Sequence, residues 1–270
     1  ILQINSGNPN LKPAITDNFD LSAEYYSGIG IFKVSAFYKK IENLLQTNIT
    51  NGPAVLEAVT LPDHPYFNGA PYFDPNNPST VFITGGSPVN SDETADIWGI
   101  EAQAERRFDF QPGFWSGLGV FVNHTYTQSS RADRYNWAYD PDPDHVYNFS
   151  GLPFVQQPEH SGTAALTYNK YDIDATLAYG YQSRALASFQ PRGLSVYTEG
   201  VQTLDFRAEY YLRPSFGSFR VYVEANDLLN GTEDPDLEQT FGGEGGTPKF
   251  YTRATYLGGR NIKIGLSATF

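Results

Sequence analysis

Gly259-Arg-Asn-Ile-Lys-Ile-Gly-Leu-Ser-Ala-Thr-Phe270 alternates without a break. Ile262, Ile264, Leu266, Ala268 and Phe270 fall on one side of an extended chain, and Asn261, Lys263, Gly265, Ser267 and Thr269 on the other. Successive side chains of a strand point to opposite faces, so this stretch has one apolar face and one wet face. It ends on an aromatic residue rather than a polar tail. The pattern suits a strand with hydrocarbon on one side and water on the other, as in a membrane β-barrel.

Working backwards from it, the same alternation recurs eight times. Phe19, Leu21, Ala23 and Tyr25 share a face, as do Phe32, Val34, Ala36 and Tyr38. Trp98, Ile100, Ala102 and Ala104 oppose Glu101, Gln103, Glu105 and Arg107. Leu118, Val120 and Val122 follow, then Ala164, Leu166 and Tyr168, then Ile173, Ala175, Leu177 and Tyr179. Leu204, Phe206, Ala208 and Tyr210 oppose Asp205, Arg207 and Glu209; Phe219, Val221, Val223 and Ala225 oppose Arg220, Tyr222 and Glu224. Each segment approaches the roughly 9–11 residues that a tilted strand needs to cross a bilayer.

The connections alternate in length. Residues 27–30, 109–113, 169–172 and 214–217 read as short turns, and 48–92, 129–157, 183–200 and 229–257 as long loops. A soluble sandwich accounts for alternation within strands but not for this rhythm. Outer-membrane barrels have short periplasmic turns and long extracellular loops, so the long connections are expected outside and the short ones at the periplasm. The predicted fold class is all-β, a transmembrane antiparallel β-barrel. Nine strands is an odd number, and open edges cannot face lipid. The chain is therefore expected to be the C-terminal portion of a larger barrel.

Composition agrees. Among 270 residues there are 18 Lys+Arg against 30 Asp+Glu, a formal charge of -12, which excludes a general nucleic-acid binder. No cysteine is present, so neither a disulfide framework nor a Cys-based metal site is available. Mean hydropathy is negative, and no apolar run has the length of a membrane helix. Nineteen Tyr and 19 Phe are a rich supply of residues that suit a membrane interface.

Several segments resemble one family. Asn8-Pro-Asn-Leu-Lys-Pro13 followed by Phe19-Asp-Leu-Ser-Ala-Glu-Tyr25 resembles a recurrent segment of TonB-dependent outer-membrane receptors, with Ala14 where that family often has Glu. Trp98-Gly-Ile-Glu101 and Val223-Glu-Ala-Asn-Asp-Leu-Leu-Asn230 are similar to two further segments. Lys263, Gly265, Ala268 and Phe270 are similar to the family's barrel-assembly signal. The resemblance implies a 22-stranded barrel of which these are the last nine strands. It implies a plug domain and first strands outside this chain, a TonB complex reached through the plug, and the barrel-assembly machinery as a partner. No cofactor and no enzymatic activity are expected.

The candidate sites follow. Tyr25, Tyr38, Trp98, Tyr168, Tyr179 and Tyr210 are expected as an interface girdle, with strand packing as the plainer alternative. Tyr66, Phe67, Tyr72, Phe73, Trp137 and Tyr139 lie in long loops, where they either stack on a ligand or pack the loops on themselves. Asp140 and Asp142, with Asp144, supply hard oxygens, but not at EF-hand spacing; a solvated acidic loop is the plainer reading. His64, His124, His145 and His160 show no close ligand spacing, so no transition-metal site is expected. The charges on the wet face read as a lumenal wall rather than as catalytic carboxylates.

The expected function is uptake of a scarce nutrient across the outer membrane of a Gram-negative bacterium. Aromatic, acidic loops favour a carbohydrate slightly over a ferric siderophore. A passive porin, a membrane-anchored lipase and a soluble carbohydrate-binding sandwich are the alternatives.

Overall fold

The computed structural model describes residues 2–5, 7–51, 83–136, 146–189, 195–230, 237–240, 250–254 and 258–269. The strands are β1 Leu2–Asn5, β2 Ile15–Ser27, β3 Gly30–Glu42, β4 Leu45–Asn51, β5 Ile83–Asn90, β6 Ala95–Arg107, β7 Leu118–Asn136, β8 Val146–Leu152 and β9 His160–Lys170. They continue as β10 Ile173–Gln182, β11 Ala185–Ser188, β12 Val196–Thr198, β13 Val201–Leu212, β14 Ser218–Asn226, β15 Leu237–Thr240, β16 Phe250–Ala254 and β17 Asn261–Thr269. A short 3-10 turn spans Gly113–Gly117. Among the described residues no helix is long and apolar enough to cross a membrane.

The chain divides into two compact units, one of Ile1–Asp17, Lys39–Asp96 and Ser129–Leu152, the other of Asn18–Tyr38, Ile97–Gln128 and Pro153–Phe270. The second unit carries the principal sheet, in the order β17-β14-β13-β10-β9-β7-β6-β3-β2. These nine strands are the nine expected from alternation. Neighbours in sequence are neighbours in the sheet, the up-and-down meander that short turns and long connections permit.

Register then assigns the faces. Val120 lies opposite Leu166, Leu166 opposite Leu177, Leu177 opposite Phe206, Phe206 opposite Ala225 and Ala225 opposite Ile262. An apolar row thus crosses six strands on one face. One residue along, Thr167, Thr176, Arg207, Glu224 and Lys263 form the matching row on the other face. A slip of one residue anywhere would exchange the two sets. The apolar face is open: Ile264 is 79% exposed, and Leu166, Val122, Val221 and Leu266 are exposed beside it. A soluble sandwich packs such a face against a second sheet. Here it is bare, as a lipid-facing surface is.

The β9–β10 turn is set by two residues in the left-handed region, Tyr171 at φ 56° and Asp172 at φ 57°. Two consecutive positive φ values define the type I′ hairpin, whose favoured residues are Asn-Gly. We predict that the double substitution Tyr171→Asn, Asp172→Gly raises the unfolding free energy in lipid by about 0.5–1 kcal/mol, read as a higher denaturant midpoint with an unchanged slope. The Asp172–Arg213 ion pair lost in the exchange is at 2.9 Å but exposed, and such pairs contribute little.

The first unit holds the sheet β1-β5-β4, with β1 parallel to β5 and β4 antiparallel to it, and β8 paired to the residue 131–136 part of β7. The Asn8–Pro13 segment is fastened there. The Asn8 side chain donates to the Pro88 carbonyl at 3.0 Å. Asn90 accepts from the Lys12 backbone N–H at 2.8 Å and donates back to the Lys12 carbonyl at 2.9 Å. Within the 48–92 and 129–157 stretches, residues 48–51, 83–90, 129–136 and 146–152 are therefore strand where the sequence suggested long connections. Likewise β11, β12, β15 and β16 form a sheet from residues read as loop.

Candidate functional site

The functional surfaces of a membrane wall are its two faces and the two boundaries of its apolar band. On the polar face, Glu209 is 6% exposed and gathers its neighbours. It accepts hydrogen bonds from Arg207 on its own strand and from the Tyr211 hydroxyl at 2.6 Å. Arg220 of β14 approaches to 3.6 Å. Arg207 also lies 3.8 Å from Glu224. Glu24 pairs with Lys33 at 3.1 Å and accepts from Tyr26. The Ser35 hydroxyl donates to Glu101 at 3.3 Å. Opposite charges thus alternate across strands, which cross-strand pairing rewards. Shallow grooves on this face are lined by residues such as Lys33, Ser35, Glu101, Gln103 and Thr125.

Two glycines on this face make room for rings. A Cβ on Gly265 would collide with the Tyr222 ring, its cross-strand partner, and a Cβ on Gly99 would collide with the Phe37 ring and the Tyr126 carbonyl. Both glycines lie in segments that the sequence singled out, and both are seats for a polar-face aromatic.

Aromatic residues collect at both ends of the apolar band. At the end nearest the long connections, Phe19 meets Tyr38 at 6.5 Å and Trp98 meets Tyr126 edge-on at 5.6 Å. Tyr126 meets His160 at 5.0 Å, and His160 stacks on His124 at 5.3 Å. Tyr179 donates its hydroxyl to Gln202 at 2.9 Å. At the turn end, Tyr25 meets Phe32, Phe114 stacks on Tyr168 at 4.6 Å, Arg106 lies over Phe110 and Phe216 meets Phe219. Tyr210 lies on the apolar face beside Val221.

All six residues expected as a girdle thus stand on the apolar face. Tyr168 is buried there beneath Phe114, as the strand-packing alternative has it; Tyr126, His124 and His160 at one end and Phe110, Phe114, Trp115 and Phe216 at the other were not among the six. Aligning strands outward from their turns would have found them. Of the residues expected as an assembly signal, Lys263, Gly265 and Ala268 lie in β17; Phe270 lies outside the described residues, as do the loop candidates Tyr66, Phe67, Tyr72, Phe73, Trp137, Tyr139, Asp140 and Asp142. Among the described residues no group of three or more His, Asp or Glu side chains is placed to hold a metal ion.

An antiparallel meander with a bare apolar face, a charged opposite face and aromatic margins is the wall of a transmembrane β-barrel. The chain belongs to the family described as TonB dependent receptor-like, beta-barrel, whose model matches residues 2–228. Solved structures agree on the fold. The FrpB iron transporter from Neisseria meningitidis superposes with TM-score 0.54 at 15% identity, over 98% of this chain and 32% of that one. The ferric citrate transporter FecA in its unliganded form gives 0.53 at 12% identity, over 94% and 31%. FpvA of P. aeruginosa in complex with a heterologous pyoverdine and iron gives 0.50 at 15%, over 95% and 27%. The chain therefore spans about a third of the length of FrpB and FecA and about a quarter of that of FpvA. No protein with a curated description matches it in sequence.

Proposed function

We propose that this chain is wall and mouth of a receptor that takes up a scarce nutrient across a Gram-negative outer membrane, driven by TonB. The observation that carries this reading is the two-faced sheet: a bare apolar face for outer-membrane lipid and a charge-paired face for an aqueous lumen. Family membership supports the rest of the reading. The receptor's first strands complete the barrel, its plug fills the lumen, the TonB complex acts through that plug, and the barrel-assembly machinery inserts the whole. The aromatic margins sit at the two membrane interfaces, where amphipathic rings are stable. Nucleic acid is not a partner, and the protein is a transporter rather than an enzyme.

For the ligand, we favour a neutral saccharide. Tyr66, Phe67, Tyr72, Phe73, Trp137 and Tyr139 offer ring faces for stacking, and Asp140 and Asp142 oppose anionic complexes. The test uses the full-length protein in cells and in detergent. Uptake of the bound ligand is expected to stop on adding a protonophore, whereas uptake that continues indicates a passive pore. Saccharide binding is expected to weaken by about tenfold or more in Trp137→Ala, the worth of one lost stacking contact. Tight binding of ferric siderophores with no binding of saccharides would overturn the ligand assignment.

A further inference from the structure

His124 of β7 and His160 of β9 are 36 residues apart in sequence and meet on the apolar face. His124 is registered with Gly162 and His160 with Tyr126, so the two imidazoles are diagonal neighbours and Gly162 places no side chain between them. Their rings are 29° from parallel. Nδ1 of His160 stands 3.3 Å from Nε2 of His124. The pair is not loosely held. Tyr126 lies against His160 and Trp98 against Tyr126, and the His160 backbone N–H donates to the Ser183 hydroxyl at 3.0 Å. His124 is exposed and His160 half-buried, at the margin where the apolar residues of β7 give way to Gln128.

A nitrogen pair at this distance has two physical explanations. One is an N–H···N hydrogen bond between neutral rings. The other is a shared ion: two imidazole nitrogens at about 2.0–2.1 Å from a tetrahedral ion stand about 3.3–3.4 Å apart. The observed nitrogen separation of 3.3 Å matches that distance, and paired strands fix both Cα positions. We infer that His124 and His160 form a two-imidazole site for a transition-metal dication at the loop-end margin of the apolar face. Imidazole selects zinc and copper over calcium or magnesium. With two protein ligands the site is open, and water completes the coordination. It is therefore an exchangeable site rather than a structural one.

Cu²⁺ is the probe, because it binds nitrogen sites most strongly in its row. The full-length protein in lipid nanodiscs is titrated with Cu²⁺ and followed by electron paramagnetic resonance. The spectrum of the unsubstituted protein minus that of His124→Gln, His160→Gln is expected to show one copper species with the hyperfine pattern of two imidazoles. Either single substitution is expected to abolish that species, while Tyr126→Phe keeps it. Gln retains a hydrogen-bonding group, so heat-modifiable gel migration should be unchanged. A second measurement needs no substitution: Zn²⁺ is expected to slow diethyl pyrocarbonate modification of His124 and His160 together, several-fold, as read by mass spectrometry. A difference spectrum without a copper species, or modification indifferent to Zn²⁺, would show that the pair is a hydrogen bond alone and overturn the site.

Discussion

Leu177→Arg is expected to destabilise the folded protein in lipid vesicles by about 2–4 kcal/mol, the cost of a cation on the lipid face near the bilayer midplane. Leu177 sits mid-strand in β10, flanked by Leu166 and Phe206. Neither of those partners can pair a guanidinium. The adjacent substitution Ala178→Arg puts the same charge on the opposite face, across from Asp205, and is expected to cost under about 1 kcal/mol. Equilibrium unfolding in denaturant reads both. Equal costs would sink the assignment of faces, and a reversed order would mean that the register is displaced by one residue.

That contrast also explains which parts of the fold were legible. A bilayer imposes a two-residue hydrophobic period on every strand that crosses it, so the nine wall strands stand out from Phe19 to Ala268. Beyond the bilayer the imposed pattern stops. β4, Leu-Gln-Thr-Asn-Ile-Thr-Asn, and β5, Ile-Thr-Gly-Gly-Ser-Pro-Val-Asn, carry no apolar stripe, and β5 contains Pro88, a residue that cannot donate to a ladder. Their polar composition and their glycines are those of a loop. What makes them strands is pairing with segments distant in sequence, such as β1 with β5, and that information is not local.

The candidate sites divide in the same way. Single-strand properties, such as the apolar position of Tyr168 or Tyr210, were readable. Properties that belong to two strands were not. His124 and His160 have no ligand spacing along the chain because the register, not the sequence interval, brings their nitrogens together. Gly99 and Gly265 read singly as gaps on the wet face. Their purpose appears once Phe37 and Tyr222 are known to lie over them.

Gly265→Val is the second substitution with a large expected effect. Any Cβ at this position meets the Tyr222 ring at several atoms, and Val adds two methyl groups in a strand whose backbone is fixed by an unbroken register from Ser218–Thr269 to Asn226–Asn261. Overpacking of this kind costs about 1–3 kcal/mol. The cause is testable because the clash has a single partner. Tyr222→Ala alone loses the ring's contacts, but in the Gly265→Val background it removes the collision, so the double variant should be more stable than the sum of the single effects predicts. A favourable coupling of about 0.5–3 kcal/mol is the expected size for contacting residues. Additive effects would mean that Gly265 is required for some reason other than Tyr222. The same cycle separates packing from recognition at the terminal strand, where Gly265 also belongs to the proposed assembly signal. If the glycine serves only to seat the ring, Tyr222→Ala restores insertion of Gly265→Val in cells as well as stability in vesicles. If the assembly machinery reads the glycine itself, stability returns and insertion does not.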